Sequence, residues 1–90
     1  MTCLELSENN INELPKYISQ LAKLEWLGLN DNQLKELPEE LFELIHLDSL
    51  LLNYNQLQEI SESVCKLINL DYIGLYDNPI KQKFLIVFLK

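Results

Sequence analysis

The strongest constraint on the fold is a 23-residue period that runs through the sequence. Leu24, Leu47 and Leu70 are spaced 23 residues apart, and Met1 takes the same position one period earlier. The chain of 90 residues therefore divides into repeats 1–23, 24–46, 47–69 and an incomplete 70–90. Periods of about 20 to 50 residues are typical of architectures in which each repeat buries its apolar face only against its neighbours. We predict one stacked domain over residues 1–90.

Within each repeat, large apolar residues recur at fixed positions and asparagine occupies the ninth. The fourth, sixth and eleventh positions hold Leu4, Leu27, Leu50 and Ile73, then Leu6, Leu29, Leu52 and Leu75, then Ile11, Leu34, Leu57 and Ile80. The ninth position holds Asn9, Asn32, Asn55 and Asn78. Three further apolar positions close each complete repeat, as in Leu14, Ile18 and Leu21.

This pattern, LxxLxLxxNxLxxLPxxIxxLxx, resembles the leucine-rich repeat family over residues 1 to about 80. The Pro-containing 23-residue form is most similar to intracellular Ras-suppressor-like and plant Ras-group-like proteins and their bacterial counterparts. The resemblance implies a curved α/β solenoid with parallel strands on the concave face and short helical or irregular convex segments. It names no partner.

Physical reasoning from the residues leads to the same architecture. Apolar and polar residues alternate in Leu4-Glu5-Leu6 and its equivalents, which predicts four short parallel strands that must stack to bury one face. The later apolar residues lie near helical spacing, with Pro15 and Pro38 where a helix begins and Ser61 as a cap in the third repeat. The asparagine column is expected to satisfy backbone groups at the turns between repeats.

Exposed strand positions of a solenoid converge on one concave surface, where we expect the binding site. Trp26 and Tyr72 stand two strands apart, so we expect their rings to flank a shallow slot about 10 Å wide, floored by Leu51 and kept open by Gly28 and Gly74. The predicted partner-binding residues are Trp26, Leu51, Tyr72, Tyr76, Asn30, Asn53, Tyr54 and Asp31. The alternative is that the rings only cover neighbouring strands.

The charge is strongly acidic and unevenly distributed. The chain has 14 Asp and Glu residues and 7 Lys, with no Arg, for a net charge of -7, which disfavours binding to nucleic acid. Seven of the acids lie in or beside the predicted concave columns: Glu5, Glu8, Glu25, Asp31, Asp48, Asp71 and Asp77. Such a field attracts a basic segment of a partner protein, or else it only keeps the chain soluble.

No residue set predicts an enzyme, a cofactor or a metal site. His46 is the only histidine, and Cys3 and Cys65 have neither disulfide-scaffold nor zinc spacing. The N-terminal residues lack the features of a signal peptide and no apolar stretch is long enough to span a membrane, so we expect a cytoplasmic protein with free thiols.

Two features leave alternatives open. The tail from Lys81 to Lys90 is basic and apolar, which favours a capping helix built on Ile80, Phe84, Val87 and Phe88, then a self-association surface, then attachment to a membrane surface. The first repeat has no preceding cap, so the chain is either an excerpt of a longer array or a short product.

Functionally, we expect a protein-interaction module, a signalling scaffold or competitor. A structural fragment and a substrate-reading segment of a larger enzyme complex are the alternatives.

Overall fold

Four short strands carry the architecture in the computed structural model, which describes residues 1–81. They are β1 (Cys3–Glu5), β2 (Trp26–Gly28), β3 (Ser49–Leu51) and β4 (Tyr72–Gly74). The predicted capping helix and self-association tail fall mainly on residues 82–90, which lie outside the described part of the chain.

The strands form one parallel sheet in the order β1-β2-β3-β4. Register follows the 23-residue period, because Trp26 pairs with Cys3 and with Ser49, and Ser49 pairs with Tyr72. Backbone pairing continues past the strand ends, where the amide of Tyr54 donates to the carbonyl of Tyr76 at 2.8 Å. The predicted parallel sheet with one strand per repeat is confirmed, and equivalent residues of successive repeats lie in rows.

Short 3₁₀ helices form the opposite side of the described repeats, at Lys16–Gln20, Glu39–Glu43 and Glu62–Lys66. They are tighter than the spacing near 3.6 suggested, and the first two begin one residue after Pro15 and Pro38, which are N-caps instead of first helical residues. Ser61 caps the third helix as predicted. Pro suits the N-cap position because its fixed φ is compatible with the extended backbone there. The Ser61 side chain accepts a hydrogen bond from the amide of Ser63 at 3.0 Å. No helix within residues 1–81 has the length and apolar character needed to cross a bilayer.

The hydrophobic core lies between the sheet and the 3₁₀ helices. It contains the predicted leucine columns of the two middle repeats, including Leu27, Leu29, Leu50 and Leu52, all fully buried. Phe42 is also buried, although the sequence pattern did not select it. The equivalent residues in the flanking repeats are the small Ser19 and Cys65.

The asparagine column joins each turn to the turn before it. The Asn32 Oδ1 atom accepts hydrogen bonds from the amides of Asn9 at 3.0 Å and Ile11 at 2.9 Å. Its Nδ2 group donates to the carbonyls of Leu6 and Leu29 at 3.1 and 3.2 Å. Asn55 and Asn78 bond in the same way one and two repeats later.

These side chains accept and donate hydrogen bonds between the turns that they join. Asn32 and Asn55 are buried to 7% exposure, and within the described residues no buried side-chain polar atom lacks a partner. Unpaired buried polar groups cost about 1 to 3 kcal/mol each, so the column is a structural requirement of the stack.

We predict that Asn32→Leu destabilises the chain by about 3 kcal/mol or more, because it leaves the amides of Asn9 and Ile11 without their acceptor and puts a branched side chain between turns. Urea denaturation followed by circular dichroism measures this loss. Asn12→Leu, at an exposed position outside the column, is the matched control and should change stability by less than about 0.5 kcal/mol. Equal effects of the two substitutions would contradict a structural role for the column.

Candidate functional site

The exposed side of the sheet is formed by the odd-numbered positions of the strands. The register places Cys3, Trp26, Ser49 and Tyr72 in one row and Glu5, Gly28, Leu51 and Gly74 in the next. A third row follows the strand ends with Ser7, Asn30, Asn53 and Tyr76, and a fourth contains Glu8, Asp31, Tyr54 and Asp77. The predicted partner-binding residues therefore share one face of the molecule.

The Trp26 indole extends over Gly28 of its own strand instead of standing as the wall of a slot. A Cβ atom added at Gly28 would be 2.7 Å from the indole Cη2 atom and 2.5 Å from a Glu5 carboxylate oxygen. Gly28 is consequently buried, and Trp26 is half-buried. The expectation that Gly28 keeps the side of a slot open is wrong, because the missing side chain is what allows the indole to pack against the backbone.

A second hydrogen-bond column runs across the third row, and the sequence analysis did not predict it. The Ser7 hydroxyl accepts from the amide of Asn30 at 3.0 Å, and Asn30 Oδ1 accepts from the amide of Asn53 at 2.8 Å. Asn53 Oδ1 then accepts from the amide of Tyr76 at 2.7 Å. Asn30 and Asn53 thus hold successive repeats together, while their role as partner contacts stays a prediction.

Gly74 is covered by this second column. A Cβ atom at Gly74 would lie 2.8 Å from the Oδ1 atom of Asn53, so the amide rests directly on the glycine backbone. The expected opening at Gly74 is therefore absent as well. The sequence indicates this packing only through the repeated Asn at the seventh position, two residues before the Asn of the structural column.

The exposed aromatic surface lies toward the third and fourth repeats. Tyr72 is 52% exposed and Tyr76 is 67% exposed. The rings of Tyr54 and Tyr76 meet edge to face, with centroids 5.7 Å apart and an interplanar angle of 85°. By contrast, Trp26 packs over its own strand, so the structure brings Tyr54 and Tyr76 together and separates them from Trp26.

The fourth row has an unusual backbone conformation. Glu8, Asp31, Tyr54 and Asp77 all have positive φ angles between 56° and 61°. Asp adopts this left-handed region more easily than most residues, whereas for a bulky side chain it is an outlier that costs about 1 to 2 kcal/mol. Tyr54 is therefore the residue of this row whose conformation is hardest to explain by folding alone.

Negative charge is concentrated on the same face. Residues 2–8, 25–31, 48–54 and 71–77, here called the concave segments, contain seven acids and no lysine. Six of these acids are exposed and Asp48 is half-buried. The chain's other seven acids are matched by its seven lysines, so the net charge of -7 is carried by the concave segments.

One of these acids is held ionised by its neighbour. The Ser7 hydroxyl donates to the Glu5 carboxylate at 2.5 Å, and the Ser7 amide donates to the same oxygen at 2.9 Å. These bonds, the hydroxyl bond first, lower the pKa of Glu5 below its ordinary value. The carboxylate thus keeps its charge beside the Trp26 indole.

The described residues offer no group of three or more His, Cys, Asp and Glu side chains able to hold a metal ion. Cys3 and Cys65 are exposed free thiols, and they lie on opposite sides of the repeat. An open groove of about 530 Å³ lies between the first two repeats, where Lys16 and Lys35 are mixed with glutamates. This groove has neither the enclosure nor the convergent polar groups of a catalytic pocket.

We predict that Ser7→Ala raises the pKa of Glu5 toward its ordinary value, because the larger of the two hydrogen bonds is lost. A folded-state pKa that is lowered adds stability above the ordinary pKa of 4.5, and this stability is lost as the pH falls through the lowered value. Carboxyl ¹³C NMR titration measures the shift. Ser19→Ala is the control, since Ser19 bonds only to its own 3₁₀ helix, and an identical effect on Glu5 would contradict the assignment.

Comparison with known proteins agrees with this architecture. A family model described as leucine rich repeat matches residues 23–80. The chain is similar to a leucine-rich repeat protein of Leptospira interrogans, with 35% identity and a TM-score of 0.85 over 87% of this chain and 20% of that one. It is also similar to an internalin from Listeria monocytogenes, with 33% identity and a TM-score of 0.80 over 91% of this chain and 24% of that one. No curated protein matches the chain.

The chain spans about a fifth to a quarter of the length of these two structures. Their similarity does not distinguish the intracellular Pro-containing subtype, which stays a prediction. The family model nevertheless covers well over half of the residues, and the sheet, the register and the asparagine column have the form that the sequence pattern predicts. The chain belongs to the leucine-rich repeat family.

Proposed function

We propose that this chain is a protein-interaction module that binds an extended, basic segment of a partner protein across its concave sheet. Domains of this family generally bind protein partners. The observation that supports the finer proposal is that exposed aromatic rings and the whole net negative charge share one face. On this proposal the chain contributes no catalytic step, and it acts as a scaffold or competitor in signalling.

The aromatic residues give this surface its anchoring capacity. Large rings with a polar tip bury a large area at low entropic cost, and they are enriched among the residues that dominate interface energies. Tyr72 and Tyr76 are exposed on β4 and just after it, and Leu51 is half-buried on β3. The alternative is that the aromatic rings only cover neighbouring strands. This alternative describes Trp26, which lies over Gly28, better than it describes the exposed Tyr72 and Tyr76.

The charge gives the surface its selectivity. Seven carboxylates without a lysine create a field that speeds the encounter with a cationic segment and repels an acidic one. If the acids served only solubility, the lysines would not need to be excluded from the concave segments, because a surface with interspersed charges of both signs is equally soluble.

The size of the sheet sets the length of the segment. Four strands spaced about 4.8 Å apart span roughly 15 Å, which an extended peptide crosses with about four or five residues. A contact this small implies a weak or transient complex unless the partner also touches the rims. The exposed thiols of Cys3 and Cys65 are compatible with the reducing cytoplasm that we propose as its location.

The proposal is tested by selecting binders from a displayed library of random 12-residue peptides and measuring their affinity by fluorescence polarisation. We predict that the selected peptides carry a positive net charge and that Trp26→Ala combined with Tyr72→Ala weakens their binding at least about tenfold, the effect of losing one or two anchors. Raising the salt from 0.05 to about 0.5 M should weaken binding further, because the interaction is partly electrostatic.

Tyr17→Ala is the matched control, because Tyr17 is 69% exposed but lies on the first 3₁₀ helix. This substitution should leave peptide affinity unchanged. Thermal melts of all variants by circular dichroism separate a binding defect from a folding defect. Full affinity of the folded double variant, or equal loss in Tyr17→Ala, would rule out the concave sheet as the binding surface.

A further inference from the structure

We infer that the Tyr54–Tyr76 ring pair, between Asp31 and Asp77, is a subsite for the guanidinium group of an arginine in the partner. The inference rests on the proposed function, since it names the chemistry that one end of the concave sheet recognises. Its basis is a combination of a fixed ring pair, carboxylates in the neighbouring repeats, and a bulky tyrosine at a left-handed position where those repeats have Asp.

The backbone of Tyr76 is fixed by three hydrogen bonds. Its amide donates to Asn53 Oδ1 at 2.7 Å. Its carbonyl accepts from the Tyr54 amide at 2.8 Å and from Asn78 Nδ2 at 3.3 Å. The peptide units on both sides of Tyr76 are thus held, and its ring contacts Tyr54 edge to face while remaining 67% exposed.

Tyr54 occupies a position where a smaller residue would serve the fold better. Its φ of 60° lies in the left-handed region, in which Asp31 and Asp77 occupy the same position of the neighbouring repeats. The ring is 47% exposed, so packing into the core does not compensate for this conformation. Strained residues cluster at ligand-binding sites, where the strain is maintained by the surrounding structure.

Two carboxylates border this ring pair. The amide of Asp31 donates to the carbonyl of Asn53 at 2.9 Å, which continues the parallel register beyond the strands. Asp31, Tyr54 and Asp77 therefore occupy equivalent positions shortly after β2, β3 and β4, at a spacing of about 4.8 Å between neighbouring repeats, with Tyr54 in the middle. Both carboxylates are exposed, and the concave segments contain no lysine to neutralise them.

This arrangement matches a guanidinium better than an ammonium group. A planar guanidinium stacks on an aromatic face and still directs N–H donors sideways, toward carboxylates on either side. An ammonium is a compact, strongly hydrated charge that does not use the flat ring in the same way. Both tyrosines of the pair are exposed, so the pair presents aromatic surface to solvent.

The test uses a small probe, the peptide acetyl-Gly-Arg-Gly-amide, added to ¹⁵N-labelled full-length chain. We expect saturable NMR shift changes centred on Asp31, Tyr54, Tyr76 and Asp77, with an affinity in the millimolar range because one side chain is bound. The same peptide with neutral citrulline in place of arginine should give no such changes, and the lysine peptide should bind more weakly.

Variants assign the shifts to the subsite. Tyr54→Asn removes the ring and places in the left-handed region a residue that accepts it, so the fold is retained; the expected loss of probe affinity is about two- to fivefold. Asp31→Asn combined with Asp77→Asn should weaken arginine binding without affecting the citrulline peptide. Tyr17→Asn, on the first 3₁₀ helix, is the matched control and should leave the probe affinity unchanged.

Two results would overturn the inference. One is equal shifts with the arginine and citrulline peptides, and the other is arginine shifts spread evenly over all seven concave acids. The outcome is independent of the library experiment: loss of peptide binding in the Trp26 and Tyr72 variant with no localised arginine shifts would reject this subsite and leave the proposed function intact. Localised arginine shifts with no selected peptide binding on the concave sheet would support the subsite and reject the proposed function.

Discussion

Hydrogen bonds from one asparagine per repeat are the interaction on which the rest of this structure depends. A three-residue strand has too few backbone bonds to fix its own position, and the turn that follows it leaves buried amides and carbonyls. Asn32 and Asn55 satisfy these groups on the preceding repeat and on their own. Each repeat is thereby locked to the next in a single register, and register in turn decides which side chains share a row.

The locked register explains why the two faces of the repeat have separate tasks. Inward-facing leucines form the core, and the 3₁₀ helices close it from the other side. Outward-facing residues of the concave segments contribute little to the core, yet these segments carry all of the net charge and most of the exposed rings. Asn30 and Asn53 are exceptions, since their side-chain oxygens serve the stack while they lie on the concave face.

The backbone of this protein was predictable from sequence, and much of the side-chain packing was not. The 23-residue spacing of Leu24, Leu47 and Leu70 is enough to predict four parallel strands in order, because register repeats with the sequence. Side-chain positions depend on contacts between repeats, which a periodic pattern does not encode. For this reason the indole of Trp26 lying over Gly28 was missed, as was the Ser7 to Tyr76 hydrogen-bond column. The burial of Phe42 was missed because the equivalent positions hold Ser19 and Cys65, so no repeated large apolar residue marks that position.

The measurement that tests this account most directly is a crystal structure of the full chain bound to a peptide selected from the library. The account predicts that the peptide crosses β2, β3 and β4 on the exposed side, touching Tyr72 and Tyr76 and directing its basic side chains toward the concave carboxylates. A peptide bound to the 3₁₀ helices, or along the outer edge of the sheet, would contradict the claim that the acidic, aromatic face is the functional surface.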